Sequence, residues 1–365
     1  EVPASDVQTY LLPRDTVGWM DGGGSNLVRF NEQLPGHLKA VVTTHFPDGE
    51  KNKARQRADE FGVPFFDFDF QGKEEEVGIH PGDYYRALRW QEITKEIQQA
   101  SGTQRQILLE EEAKLEARLR KSTDLPKLQI ITTRYELTEQ FVDEVTQFLQ
   151  DKGIDPRTPW FAAGGEVLMG PAFFKDDRMV VNIHPGLLQV CEAMPGYKRG
   201  RRLLVGDAWR ASAKALTMRL PEMYATMHRM TYKMDAGPII MKSYPFPVDY
   251  NRLESKVDLS DKKVLEAVAS EVQERLKWVG DHVVSGATLL DMYEGNWGVH
   301  KDTGTLAYNF RGKWYLAPVG VSIDDHVENH HGKTPFVRDE GFRQLEMVKF
   351  DEAVDKIAAE YADCY

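Results

Sequence analysis

Cysteine is nearly absent: Cys191 and Cys364 are the only two among 365 residues. Two thiols so far apart in sequence make neither a disulfide framework nor a thiolate metal site, and a reducing, cytoplasmic compartment is the expectation. The chain also lacks any apolar run of about 18 residues, the length that would cross a membrane. Its first residues, Glu1 to Asp6, hold neither a basic stretch nor an apolar one, so no secretory signal is read there. Internal repeats and low-complexity segments are missing. Positive charge is in deficit, with 46 Lys plus Arg against 57 Asp plus Glu and a net charge of −11. That balance argues against nucleic acid or an anionic membrane as the partner. The exception is Lys198-Arg199-Gly200-Arg201-Arg202, which reads either as a solvated loop or as an anion-binding one.

What is present is a βαβ rhythm. Thr16 to Met20 reads as a strand, Asp21 to Asn26 as a glycine loop, and a helix is expected from about Leu27. A second strand is expected over Leu38 to Thr44, a helix over Lys51 to Phe61, and a third strand over Pro64 to Phe70. Alternation of this kind predicts a mostly parallel sheet. Residues 82–121 look like a helical hairpin, with Leu108, Leu109, Leu115 and Leu119 as a partial apolar stripe. The α/β pattern resumes with a strand at Leu128 to Thr133 and a helix over 138–152. An amphipathic helix is expected over 262–285, a hairpin around Arg311-Gly312-Lys313, and a last helix over 350–362.

Three elements can carry chemistry. Gly22-Gly23-Gly24-Ser25-Asn26 follows a strand and opens a helix, a setting in which free helix N–H groups suit a phosphate, although the spacing matches neither GxGxxG nor the P-loop. In Val180 to Leu188, Asn182 and His184 are two apart on a strand and so face the same side, just before Pro185-Gly186 breaks it. For an isolated Asn-x-His, a structural hydrogen-bonding pair is the commoner reading. The third element runs from Met227-His228 to Asp235-Ala236-Gly237-Pro238-Ile239, where the Asp reads equally well as a turn residue.

Taken in order, the three elements resemble the folate-dependent formyltransferase family, and within it the glycinamide ribonucleotide formyltransferase branch, over about residues 16–70 and 126–290. The resemblance implies a Rossmann-like α/β formyltransferase fold over 14–295, with the 82–121 helical-hairpin insertion and a small α+β C-terminal extension over 296–365. It implies transfer of a formyl group from 10-formyltetrahydrofolate to an amine of a small, phosphorylated sugar or nucleotide. Asn182, His184 and Asp235 would be catalytic: Asn182 and a protonated His184 donate to the oxyanion, and Asp235 assists proton transfer. Gly24, Ser25, Asn26 and, by a looser alignment, Glu274 would hold the acceptor. Gly165, Val167, Leu168 and Met169, with His228 nearby, would contact the folate cosubstrate. Arg199, Arg201 and Arg202 are candidates for the acceptor's phosphate. No metal is expected, and the insertion is a candidate homodimer surface.

The chain departs from the family at several points. Gly186 stands where the family has Ser, and Gly165-Glu166-Val167 replaces Phe-Met-Arg. The alternatives to formyl transfer are hydrolysis of the formyl-folate and a non-catalytic nucleotide- or folate-binding module. In the tail, His326, His330 and His331 include a pair four apart, a metal-ligand spacing on a helix, but the following Gly332-Lys333-Thr334-Pro335 points to a solvated loop.

Overall fold

Strands and helices alternate over residues 16–67, as the hydrophobic periodicity predicts. The computed structural model describes residues 1–44, 50–165, 167–175, 178–192, 201–205, 209–336 and 340–361. Thr16–Trp19 leads through the glycine loop into the helix Ser25–Gln33. Leu38–Thr43, the helix Glu50–Phe61 and the short strand Phe65–Asp67 follow. With Trp160–Ala162, Val180–His184, Thr226–Arg229, Ile239–Lys242 and Val321–Ser322 they build one central sheet. Its order is 321–322, 239–242, 226–229, 180–184, 160–162, 16–19, 38–43, 65–67. Among the described residues every neighbouring pair is parallel except the two that 226–229 makes, which are antiparallel.

Both faces of this sheet are covered, which is why its strands are β-branched and aromatic rather than alternating with polar residues. Val17, Trp19, Trp160, Ala162 and Val180 point into one core, closed by Phe141, Val145 and Leu149 of the helix Lys127–Asp151. Val41, Phe161, Val181, Ile183 and Met227 point into the other, against Leu27, Phe30, Val283, Val284 and Ala287. Helices on both faces of a mostly parallel sheet make the chain a Rossmann-like α/β protein.

The insertion is a helical hairpin, Asp83–Gln99 and Gly102–Ser122, and Arg89 of the first arm bonds Glu111 of the second at 3.1 Å and Glu96 of its own helix at 2.8 Å. The expected strand at Leu128 to Thr133 does not exist. That stretch is the first part of the 25-residue helix Lys127–Asp151. Ile130, Ile131, Arg134, Thr138, Phe141, Val145 and Leu149 are its buried positions, a spacing of three and four that outweighs the strand propensity of Ile-Ile-Thr-Thr. The helix expected over 262–285 runs as Lys262–Leu276, a π turn at Lys277–Asp281, and His282–Tyr293.

The residues after 295 are built into the core rather than set apart. Trp297–His300, Leu306–Phe310 and Lys313–Leu316 form an antiparallel sheet whose fourth strand is Val7–Thr9, from the other end of the chain. The hairpin turns at Arg311 and Gly312, both at positive φ (51° and 82°), the geometry that suits a two-residue connection. The last helix is longer than expected, Glu340–Tyr361, and lies on 262–276, where Glu346 pairs with Arg275 at 2.9 Å. The expected loop at Asp324 to His331 is largely the helix Ile323–Asn329. Its start is fixed by a capping box between Ser322 and Asp325, a signal the sequence carries with Asp in place of the usual Glu.

Candidate active site

The antiparallel register of Thr226–Arg229 on Val180–His184 sets His228 opposite Asn182 and Thr226 opposite His184. Residues opposite each other, and residues two apart, share a sheet face, so Asn182, His184 and His228 converge on one side at the carboxyl end of a parallel strand. The loop after Arg229 then brings Asp235 over them, in a left-handed backbone conformation with φ of 48°. Its carboxylate lies between the two imidazoles, with Oδ2 3.6 Å from His184 Nδ1 and Oδ1 3.6 Å from His228 Nε2. All three side chains are nearly enclosed, at 10% exposure or less.

Two contacts hold the Asp235 loop in place. Arg202 donates from Nη1 to the Asp235 carbonyl and from Nη2 to the Gly237 carbonyl at 2.8 Å. Gly237 passes so close to the neighbouring strand that a Cβ would sit 1.6 Å from the Arg229 carbonyl oxygen, so no other residue fits without moving backbone. Arg202 therefore clamps the loop. Lys198 and Arg199 lie outside the described residues, and so does the side chain of Arg201.

The ring nitrogens are constrained by what they face. A carbonyl only accepts, so His184 Nε2, 2.6 Å from the Leu204 oxygen, carries a proton, and Nδ1 is left facing Asp235. Gly186 leaves room beside that contact: a Cβ there would approach His184 Nε2 at 3.0 Å and the Leu204 oxygen at 3.1 Å, a tight fit. On the same logic His228 Nδ1, 3.2 Å from the Arg229 carbonyl, is protonated. Burial, opposed by the nearby Asp235 carboxylate, pushes His228 below the usual imidazole range and keeps it neutral near pH 7. Its bare Nε2 then faces the Asp235 side of the site. His228, expected among the folate contacts, belongs geometrically to the His184–Asp235 cluster. Among the described residues the Asn182 side chain makes no hydrogen bond.

The glycine loop sits two strands away along the same edge, with Trp160–Ala162 between. Gly24 caps the helix without any side-chain hydrogen bond, Ser25 is exposed, and Asn26 is half-buried. Asn26 Nδ2 reaches Asp281 Oδ2 at 3.5 Å, while Asn26 Oδ1 and Asp281 Oδ1 are buried without a hydrogen bond among the described residues. Burial raises the Asp281 carboxyl from 3.8 to about 7. Asp281 was not foreseen. Glu274, expected here, instead accepts from Trp278 at 3.1 Å and Lys277 at 3.0 Å on a part-exposed face. The π turn between the two residues changes the helical phase, and it is Asp281 that meets Asn26.

That shift has a measurable consequence. Between about pH 4 and 7 the folded chain holds a proton on Asp281 that the unfolded chain has released, so stability falls as pH rises through this window and then levels off. Asp281→Asn removes the slope and stabilises the protein at pH 8 by on the order of 4 kcal/mol. Urea unfolding at pH 5 and pH 8 checks both statements.

Of the segment expected to contact folate, Met169 is buried among Trp19, Phe141 and Phe173, and the Leu168 carbonyl accepts from Arg134 at 2.8 Å. Gly165 lies against the Trp19 indole, Val167 is half-buried, and Glu166 lies outside the described residues. A cleft of about 780 Å³ is lined by Phe65, Phe66, Asp143 and Gln147 beside the edge strand of the sheet, four strands from His184. It holds none of these groups. No described helix is long and apolar enough to cross a membrane.

Fold and site together define an α/β protein with an Asn–His–Asp–His cluster and a glycine loop at the carboxyl edge of its sheet. No family model and no curated protein matches the chain. Among solved structures it is similar to phosphoribosylglycinamide formyltransferase from Anaplasma phagocytophilum, at 16% identity and a TM-score of 0.45, covering 81% of this chain and 94% of that one. It is also similar to phosphoribosylglycinamide formyltransferase from Streptococcus pneumoniae TIGR4, at 16% identity and a TM-score of 0.41, covering 76% of this chain and 98% of that one.

Proposed function

We propose that the chain transfers a formyl group from 10-formyltetrahydrofolate to the amine of a small phosphorylated acceptor. The observation that carries this reading is the meeting of Asn182, His184 and Asp235 at one strand end, on the same sheet edge as the Gly24-Ser25-Asn26 loop. The order of the three motifs in the sequence supports it. The acceptor amine attacks the formyl carbon, and the carbonyl electron pair moves to oxygen. Asn182 donates its amide hydrogen to that oxyanion. His184 Nε2–H is directed at the Leu204 carbonyl, so the formyl oxygen takes this donor by displacing that carbonyl. Asp235 accepts the amine proton, directly or through water, and a proton passes to N10 as its bond to the formyl carbon breaks. The bare Nε2 of His228 faces the same carboxylate and can help hold the proton in transit.

The acceptor's phosphate is assigned to the N–H groups that open the helix at Ser25. A protonated Asp281 beneath the loop tolerates that anion and an ionised one repels it, so acceptor binding weakens as pH rises through about 7. Asn182→Ala removes one oxyanion donor, and kcat falls by about 10²–10³ while KM for the acceptor changes little. Steady-state kinetics with an acceptor identified by mass-spectrometric detection of formylated product checks this. Folate release that proceeds equally without any amine would favour hydrolysis, and a KM effect without a kcat effect would remove Asn182 from the transition state.

A further inference from the structure

Asp291 meets His326 and His330 from 35 and 39 residues earlier in the chain, on a helix that packs into the second core. Asp291 is on the helix His282–Tyr293, His326 on the helix Ile323–Asn329, and His330 caps that helix. Asp291 Oδ2 is 2.9 Å from His326 Nδ1, and Oδ1 is 2.9 Å from His330 Nε2. All three ligand atoms fall within 4.8 Å of one another. The two rings lie 4.3 Å apart, centroid to centroid. We propose that these residues form a binding site for a divalent transition metal, zinc first among them, that ties the C-terminal segment to the core.

Two imidazoles and one carboxylate are a donor set suited to zinc and its first-row neighbours. The groups behind the ligands are in place. Thr334 Oγ1 is 3.0 Å from His326 Nε2, so with the proton on Nε2 and donated to that hydroxyl, the Nδ1 lone pair is free for the metal. Tyr308 donates to Asp291 Oδ2 at 3.0 Å and Asn296 to Oδ1 at 3.1 Å, fixing the carboxylate. Glu294 Oε2 lies 3.5 Å from His330 Nε2 and is a ready fourth ligand. Asp291 and His326 are fully buried, whereas His330 and Glu294 reach solvent at 14% and 39%, which gives the ion a way in. The alternative is a staple held by protons alone, with the same atoms joined by N–H···O bonds.

The test uses the full-length protein stripped by chelator and titrated with Co(II), whose visible absorption reports nitrogen and oxygen coordination, followed by displacement with Zn(II). One equivalent is bound, the band disappears with zinc, and the melting temperature rises on metal addition. Asp291→Asn and His330→Ala lose the one-equivalent phase. His331→Ala, altering an exposed neighbour, retains it. Thr334→Val, which leaves all ligands present, weakens affinity by about 10–100-fold. Absence of a one-equivalent phase in the unsubstituted protein overturns the proposal and leaves the proton staple. Equal binding by His330→Ala and His331→Ala places any metal elsewhere and overturns it as well.

Discussion

Asp235→Asn lowers kcat/KM for formyl transfer by about 10²–10⁴, the range typical of a lost general base. Asparagine is the informative replacement because it accepts the left-handed backbone that φ of 48° demands, so the loop and its Arg202 clamp stay in place. The substitution removes the charge between His184 and His228 and leaves a group that cannot take a proton from an amine. The loss therefore appears in kcat, with the unfolding midpoint in urea within the usual range for a minor substitution. A loss confined to KM, or a large fall in stability, would mean that Asp235 serves mainly to shape the loop.

Arg134→Ala destabilises the fold by about 3–5 kcal/mol, measured by denaturant unfolding. Arg134 forms a two-pronged ion pair with Glu74, with Nε to Oε1 at 2.7 Å and Nη2 to Oε2. Both side chains are under 10% exposed. The guanidinium also holds the Leu168 carbonyl and lies over the Tyr84 ring at 4.8 Å and the Phe70 ring at 5.2 Å. Truncation strands the Glu74 charge in the interior, which is where most of the cost arises. The double replacement Arg134→Met, Glu74→Leu removes both charges and recovers most of the loss. If the double variant is as unstable as Arg134→Ala, the effect comes from the Leu168 contact and not from the stranded carboxylate.

The strand–loop–helix opening and the Asn182–His184 strand were legible because each rests on local signals: β-branched runs, glycines that break them, and a period of two. Asp235 was legible only through its company in the sequence, since a turn Asp alone is ambiguous. The misread strand at Leu128 to Thr133 shows the limit of local propensity, because burial of Ile130, Ile131 and Phe141 along one helix face decided that segment. The contacts that tune the site come from residues distant in sequence and left no local trace. Leu204 meets His184 through a backbone carbonyl, which any residue could supply. Arg202 reads as one more member of a basic run until its two carbonyl partners are seen. Asp281 was hidden by the π turn, which shifts the phase on which the Glu274 alignment depended. Asp291 completes the histidine cluster from 35 and 39 residues away, a separation that no spacing rule covers.

The most direct measurement is the absorbance change as 10-formyltetrahydrofolate becomes tetrahydrofolate, followed with and without a panel of phosphorylated amines. Formyl transfer at the Asn182–His184–Asp235 cluster predicts turnover that saturates with one amine, is negligible without it, and is lost in His184→Ala. Turnover unchanged by His184→Ala, or neither turnover nor folate binding with any amine, would contradict it.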